Sequence, residues 1–214
     1  MKPEQMNTDL SPEEYLRDPC RASSLPYWKA KQTEVPSGIR ILREDAFRAK
    51  ACRGRDEPYF RLIRRTEGII RPELPAGFEP AVCGLAEYAE HIGRCYREEG
   101  VTAEELAGWT AHPVYDPELW VAVRETDSGQ IAATGIAEAD RSIGEGILEW
   151  IQVSPEYRRR GLGQYVVREL LYRMRDKAQF VTVSGRMNNP DNPYGLYLSC
   201  GFADPVIWHV VRTE

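Results

Sequence analysis

The sequence predicts a mixed α/β fold of the α+β type, with a main domain over residues 68–214 and an N-terminal extension over residues 1–67. Three observations carry that prediction. From about residue 68, strand-like and helix-like patterns follow in the order strand, two helices, hairpin, strand, helix, strand, helix, strand. Within that order, Glu149-Trp150-Ile151-Gln152-Val153-Ser154-Pro155 reads as a strand stopped by a proline. Arg158-Arg159-Arg160-Gly161-Leu162-Gly163-Gln164 then reads as a basic turn that enters a helix through Gly-x-Gly. Third, 214 residues with 42% hydrophobic and 29% charged content suit a globular domain with a sizeable core. No stretch approaches the ~18 consecutive apolar residues of a membrane span.

Each element has its own local warrant. Residues 1–35 mix charge, proline and polar residues around one short helix, where Ser11 caps, Pro12 suits the first helical position and Glu14 completes a capping box. Residues 38–43 and 59–65 alternate as strands, expected to pair with each other. With few large apolar residues, this segment reads as an extension packed on the main domain. Residues 78–83 form a first strand of that domain. Residues 85–98 form a helix, with Leu85, Tyr88, Ala89, Ile92, Cys95 and Tyr96 on one face. A second capping box, Thr102 with Glu105, opens a helix to about Thr110. Strands at 119–123 and 130–137 are joined by the hairpin signal Asp127-Ser128-Gly129. A strand at 146–153, a helix from 161 to about 177 and a buried strand at 180–184 follow. A short helix at 194–200 with Gly201 just past its end, and a final strand at 202–212, complete the order.

Charge and cysteine usage narrow the function classes. Net charge is −5, with 14 Lys/Arg against 11 Asp/Glu in residues 1–67 (+3) and 14 against 22 in residues 68–214 (−8). An acidic body with a few local arginines is a poor nucleic-acid binder and better suits a cationic, amine-bearing substrate. Cys20, Cys52, Cys83, Cys95 and Cys200 are an odd set without a C-x-x-C pair, which fits reduced thiols rather than a disulfide framework or zinc site. His91, His112 and His209 are scattered, so no metal is expected. The start, Met1-Lys2-Pro3-Glu4-Gln5-Met6-Asn7, has no apolar leader core, so the expected address is the cytoplasm, away from membranes. The GxxxxGK[ST] phosphate loop is absent.

The basic turn carries the strongest chemistry. A helix N-terminus presents unpaired backbone N–H groups and the positive end of the macrodipole. Glycines there let the backbone approach a ligand, so a strand, an Arg-rich turn and Gly-x-Gly outline a pyrophosphate cradle. Arg158-x-x-Gly161-x-Gly163 is followed about forty residues later by Leu196-Tyr197-x-x-x-Gly201-Phe202. In this order and spacing the two motifs resemble the GNAT superfamily of N-acetyltransferases, which move the acetyl group of acetyl-CoA to amines. The resemblance covers residues 68–214 and implies the GNAT acyl-CoA fold, a mixed and mostly antiparallel sheet flanked by helices.

The same resemblance implies roles for single residues. Backbone N–H groups from Arg159 to Gln164, taking in Arg160, Gly161, Leu162 and Gly163, hold the CoA pyrophosphate, and the Arg158–Arg160 side chains add charge-assisted bonds. The backbone of Ile151, Gln152 and Val153 pairs with the pantetheine arm where the strand splays at a bulge. The N–H near Val153 holds the oxyanion, and Asn192 positions the short helix or the CoA. Tyr197 protonates the departing thiolate, with Tyr194 as a competitor. Glu149, sharing a strand face with Ile151 and Val153, is the candidate base for an amine with a lysine-like pKa of ~10.4, and Glu145 is the fallback. The implied co-substrate is acetyl-CoA, the partner a small-molecule or peptide amine, and dimers occur among relatives. The competing expectation is a catalytically silent GNAT-fold module that binds acyl-CoA or a protein.

Overall fold

In the computed structural model of the chain, residues 10–48, 54–96 and 100–213 are described. The N-terminal run without a leader core, the Cys52 thiol and the expected helical residues 97–98 therefore lie outside the described residues. The fold is mixed α/β, with eight mostly antiparallel strands flanked by helices, and the chain forms two compact units. One comprises Met1–Arg64 with Thr182–Glu214, the other Arg65–Val181.

The first unit is built from both ends of the chain. Helix α1 (Pro12–Arg17) begins as the sequence predicts, with Ser11 accepting from the Glu14 N–H and Glu14 reaching back to the Ser11 N–H. Two one-turn helices that were not expected follow, α2 (Pro19–Ala22) and α3 (Tyr27–Ala30). Asp18 caps α2 by accepting from the Arg21 N–H, and Pro19 occupies its first turn. The strands run in the order β1 (Ile39–Arg43), β8 (Ala203–Arg212), β2 (Arg55–Arg65), β7 (Phe180–Arg186). β1 and β2 do not pair with each other, contrary to expectation. Both are antiparallel to β8, with Ile39 opposite Arg212 on one side and Arg55 opposite Arg212 on the other. They therefore run parallel to one another, an arrangement that a hairpin cannot connect. Tyr15, Phe60, Leu62, Tyr197, Phe202 and Val211 are buried in this unit.

The second unit has the strand order β6 (Glu145–Val153), β5 (Ile131–Asp140), β4 (Trp120–Glu125), β3 (Phe78–Ala81), antiparallel throughout. β5 is almost wholly buried because helices cover both of its faces. Helix α6 (Leu162–Met174) packs so tightly on one face that a Cβ at Gly135 would collide with Val166. Helices α4 (Leu85–Cys95) and α5 (Ala103–Trp109) cover the other face, where Tyr88, Ile92, Leu106, Ala122 and Ile136 form a core. The predicted apolar face of α4 is the face that is buried, and the Thr102–Glu105 capping box is present.

One irregularity in the β5–β6 ladder matters for the site. Ile136 lies opposite Trp150, but its neighbour Ala137 lies opposite Leu148, leaving Glu149 as an extra residue. Gly146 faces α6 through Met174, and so does Leu148 by the period of two. Past the bulge the parity changes: Ile151 faces α6 beside Gly135, while Trp150 joins the core on the α4 side.

Candidate active site

β6 ends at Val153, and the chain turns through a single 3-10 turn at Pro155–Tyr157 before α6 begins. Between them Arg159 (φ 60) and Gly161 (φ 85) take left-handed backbone conformations. For arginine this is an uncommon state; for glycine it carries no steric cost. The glycine requirement at 161 is one of backbone rather than space, since a Cβ there would meet only Pro75 Cγ, at an ordinary 3.5 Å. No side chain caps the start of α6. The turn therefore presents a helix N-terminus and its dipole without an internal acceptor, the property an anion site requires.

The three arginines differ in what they are free to do. Arg160 is turned back onto the strands: its guanidinium lies 4.4 Å from the Phe78 ring centroid and 5.7 Å from that of Tyr157, and pairs with Glu125 Oε1 at 3.5 Å. Arg158 donates from Nε to the Val153 carbonyl at 3.3 Å. Arg159 is exposed and forms no ion pair among the described residues. Sequence reasoning treated the three alike; the aromatic partners that claim Arg160 come from Phe78 and Tyr157, which no local pattern connects to it.

The strand expected to hold the pantetheine arm is already partly engaged. The Ile151 carbonyl accepts from Tyr96 Oη at 3.2 Å, and the Gln152 side chain is buried, donating to Thr134 Oγ1. Thr134 Oγ1 is 2.8 Å from His91 Nδ1, and His91 Nε2 is 2.9 Å from Ser154 Oγ and 3.6 Å from Cys95 Sγ. Burial, reinforced by the Arg94 cation and opposed by Glu156, lowers the His91 pKa to about 4. Burial likewise raises the Cys95 thiol to about 11, so it is a packed thiol rather than a nucleophile.

Glu149 is the half-buried extra residue of the bulge, so the period-of-two argument that gave it the face of Ile151 and Val153 stops at this residue. Glu145, the fallback base, is fully buried opposite Asp140 at the hairpin end of β6, roughly 13 Å away at strand rise. Aromatic side chains that sequence reasoning did not connect gather beside the bulge. Trp150 packs against Tyr96 (5.2 Å between centroids) and Trp109 (6.5 Å), and Trp120 against Tyr88 (5.3 Å) and Tyr115 (5.8 Å). Their spacing along the chain has no period, because they arrive from two helices, a loop and two strands.

Tyr197 and Asn192 belong to the other unit, on helix α7 (Pro193–Ser199). Asn192 (φ 49) caps α7 by accepting from the Gly195 N–H at 3.1 Å. At the other end the Phe202 N–H donates to the Tyr197 carbonyl (3.1 Å) and the Gly201 N–H to the Leu198 carbonyl (3.0 Å), with Gly201 at φ 86. That is a Schellman stop, and the Tyr197 and Phe202 rings close it at 5.7 Å. The left-handed φ is what requires glycine at 201, because a Cβ there would meet the far end of the Arg64 side chain, which can move aside. Tyr197 is buried beside Phe60, while Tyr194 meets the edge of the same ring. His209 is structural, pairing with Asp56 and stacking on Phe47 at 3.7 Å. No cluster of three or more His, Cys, Asp or Glu side chains suited to a metal occurs among the described residues.

Comparison with known proteins agrees with this architecture. Residues 116–204 match the family model described as an acetyltransferase (GNAT) domain. A GCN5-related N-acetyltransferase from Sphaerobacter thermophilus superposes with a TM-score of 0.64 at 20% identity, over 94% of this chain and 65% of that one. A GNAT-family acetyltransferase from Colwellia psychrerythraea gives 0.56 at 11% identity, over 81% and 64%. A tandem GNAT protein from the clavulanic acid biosynthesis pathway gives 0.53 at 13% identity, over 77% and 56%. The chain thus spans less than two thirds of the length of these structures, and at such identities the likeness is one of fold. No curated protein sequence matches it. The acetyltransferase (GNAT) domain model is thus matched from the turn before β4 through α7, and the fold is shared with solved GNAT structures.

Proposed function

We propose that the protein transfers the acetyl group of acetyl-CoA to a primary amine, of a small molecule or a peptide, by direct attack and without a covalent acyl-enzyme. The observation that carries this reading is the uncapped start of α6, preceded by two left-handed residues and by a strand bulged at Glu149. Acetyl-CoA supplies an activated thioester. The backbone from Arg159 to Gln164 holds its pyrophosphate, and Arg159 rather than Arg160 provides the neutralising side chain. The backbone of Ile151–Val153 orients its amide arm, and Asn192 holds the start of α7. Glu149, or a water it polarises, takes a proton from the ammonium of the acceptor, because a protonated amine has no lone pair for attack. Tyr197 Oη gives a proton to the departing sulfur. A cytoplasmic address is part of the reading, and the described cysteines, all free thiols, are compatible with it.

Thermal unfolding with and without acetyl-CoA tests the reading. At ~100 times its dissociation constant a ligand stabilises the fold by ~2.7 kcal/mol, or roughly 5–10 °C here. Gly161→Glu, which places a carboxylate and a Cβ at a left-handed position, is expected to abolish the shift. No shift at millimolar acetyl-CoA removes the proposed function. A shift without CoA release in the presence of an amine panel reduces the protein to an acyl-CoA-binding module.

A further inference from the structure

A buried polar chain under the cofactor strand is not used by the chemistry above. His91 is 1% exposed, on the α4 face that also carries Tyr88 and Ile92. Ser154 Oγ donates to the Ile131 carbonyl (3.1 Å), so it accepts from His91 Nε2–H (2.9 Å) and, more weakly, from Arg94 Nη2 (3.3 Å). The other ring nitrogen is then an acceptor: Thr134 Oγ1 donates to His91 Nδ1 and itself accepts from Gln152 Nε2. The result is one directional chain, Gln152 to Thr134 to His91 to Ser154 to Ile131, that crosses between α4, β5 and β6. Its two members on the cofactor segment, Gln152 and Ser154, flank Val153. Ser154 is also tied through its own N–H to the Ala132 carbonyl. Gln152 Oε1 is buried with no hydrogen-bond partner among the described residues, so the amide is anchored through Thr134.

We propose that His91 is a positioning residue for acetyl-CoA: acting through Thr134 and Ser154, it fixes residues 152–154 and thereby the Val153 backbone and the start of the 155–164 turn. The inference rests on the reading that acetyl-CoA binds this strand and turn. An apolar residue at 91 would leave the Thr134 donor unmatched in a buried layer and Ser154 Oγ with Arg94 Nη2 (3.3 Å) as its remaining donor, and local rearrangement of β6 is the response available to them.

Isothermal titration of acetyl-CoA into the full chain, with Tm recorded in parallel, tests it. His91→Leu is expected to weaken binding by roughly tenfold, the effect of one unmatched buried bond. His91→Gln, which keeps a donor and an acceptor, is expected to stay within about threefold of wild type. Leu106→Ala removes apolar volume from the same side of the sheet without touching the chain, so it is expected to lower Tm and leave the dissociation constant unchanged. Wild-type affinity in His91→Leu, or an equal loss in Leu106→Ala, overturns the proposal. Where His91→Leu fails to fold, Thr134→Val and Ser154→Ala carry the test, and wild-type affinity in both overturns it. Failure of the wild-type chain itself to bind acetyl-CoA removes the function reading instead, which this design reports separately.

Discussion

Tyr197 shows how one residue serves two demands. Its backbone carbonyl closes the Schellman stop of α7 and its ring packs on Phe60 and Phe202, so the position is structural whatever the hydroxyl does. Tyr197→Phe keeps the ring and the backbone bond, isolating the hydroxyl. Loss of a general acid is expected to lower kcat roughly 10²-fold, with acetyl-CoA affinity held near wild type in titration calorimetry. An equal loss in both would refute the assigned proton donor. The neighbouring Gly201→Ala acts on stability instead. It places a Cβ at a left-handed φ and displaces the end of the Arg64 side chain, and is expected to cost about 1 kcal/mol in urea unfolding. At this scale the sequence was legible where a residue's backbone state decides its identity, as at Gly161 and Gly201. It was not legible for Arg160, whose side chain is claimed by an aromatic ring eighty-two residues earlier, that of Phe78.

Elements were read best where local chemistry sets their limits. The capping boxes of α1 and α5, the apolar stripe of α4 and the glycine stop of α7 are all short-range signals, and the structure contains each of them. The partners of β1 and β2 were misjudged because pairing is long-range: Ile39 meets Arg212, 173 residues further along the chain. The bulge in β6 was expected from the family resemblance, but its location is a structural finding. A one-residue deletion within a paired strand normally turns every later side chain to the wrong face. Deleting Glu149 should not, because Leu148 and Trp150 already pair with the successive residues Ala137 and Ile136. The shortened strand is expected to form a regular ladder with unfolding free energy within about 2 kcal/mol of wild type, while amine acetylation is abolished. A chain that fails to fold after this deletion would show that the bulge is needed for packing as well.

For the whole molecule, stability and chain order decide what can be removed. His91 titrates near 4 when folded against 6.5 when exposed, so between these values the unfolded chain binds a proton that the folded chain refuses. Stability is therefore fully present above pH 6.5 and falls as the pH drops towards 4, by up to about 3 kcal/mol from this group. Urea unfolding from pH 8 to 4.5 should show that decline, and His91→Gln should flatten it. A larger consequence concerns residues 1–67, which the sequence presents as an addition to a self-sufficient domain. In the structure β8 has β1 on one side and β2 on the other, and both come from this segment. Tyr15, Leu42, Phe60 and Leu62, all buried, come from it as well, and the Phe60 ring fills the space over Gly185. A chain starting at residue 68 would expose both edges of the ten-residue β8, with Val206 and Val211 uncovered, a template for edge-to-edge association. Such a chain is expected to aggregate on expression and to recover a soluble fold when residues 1–67 are supplied as a separate polypeptide. A monomeric, cooperatively unfolding fragment 68–214 would instead establish that these residues fold without them.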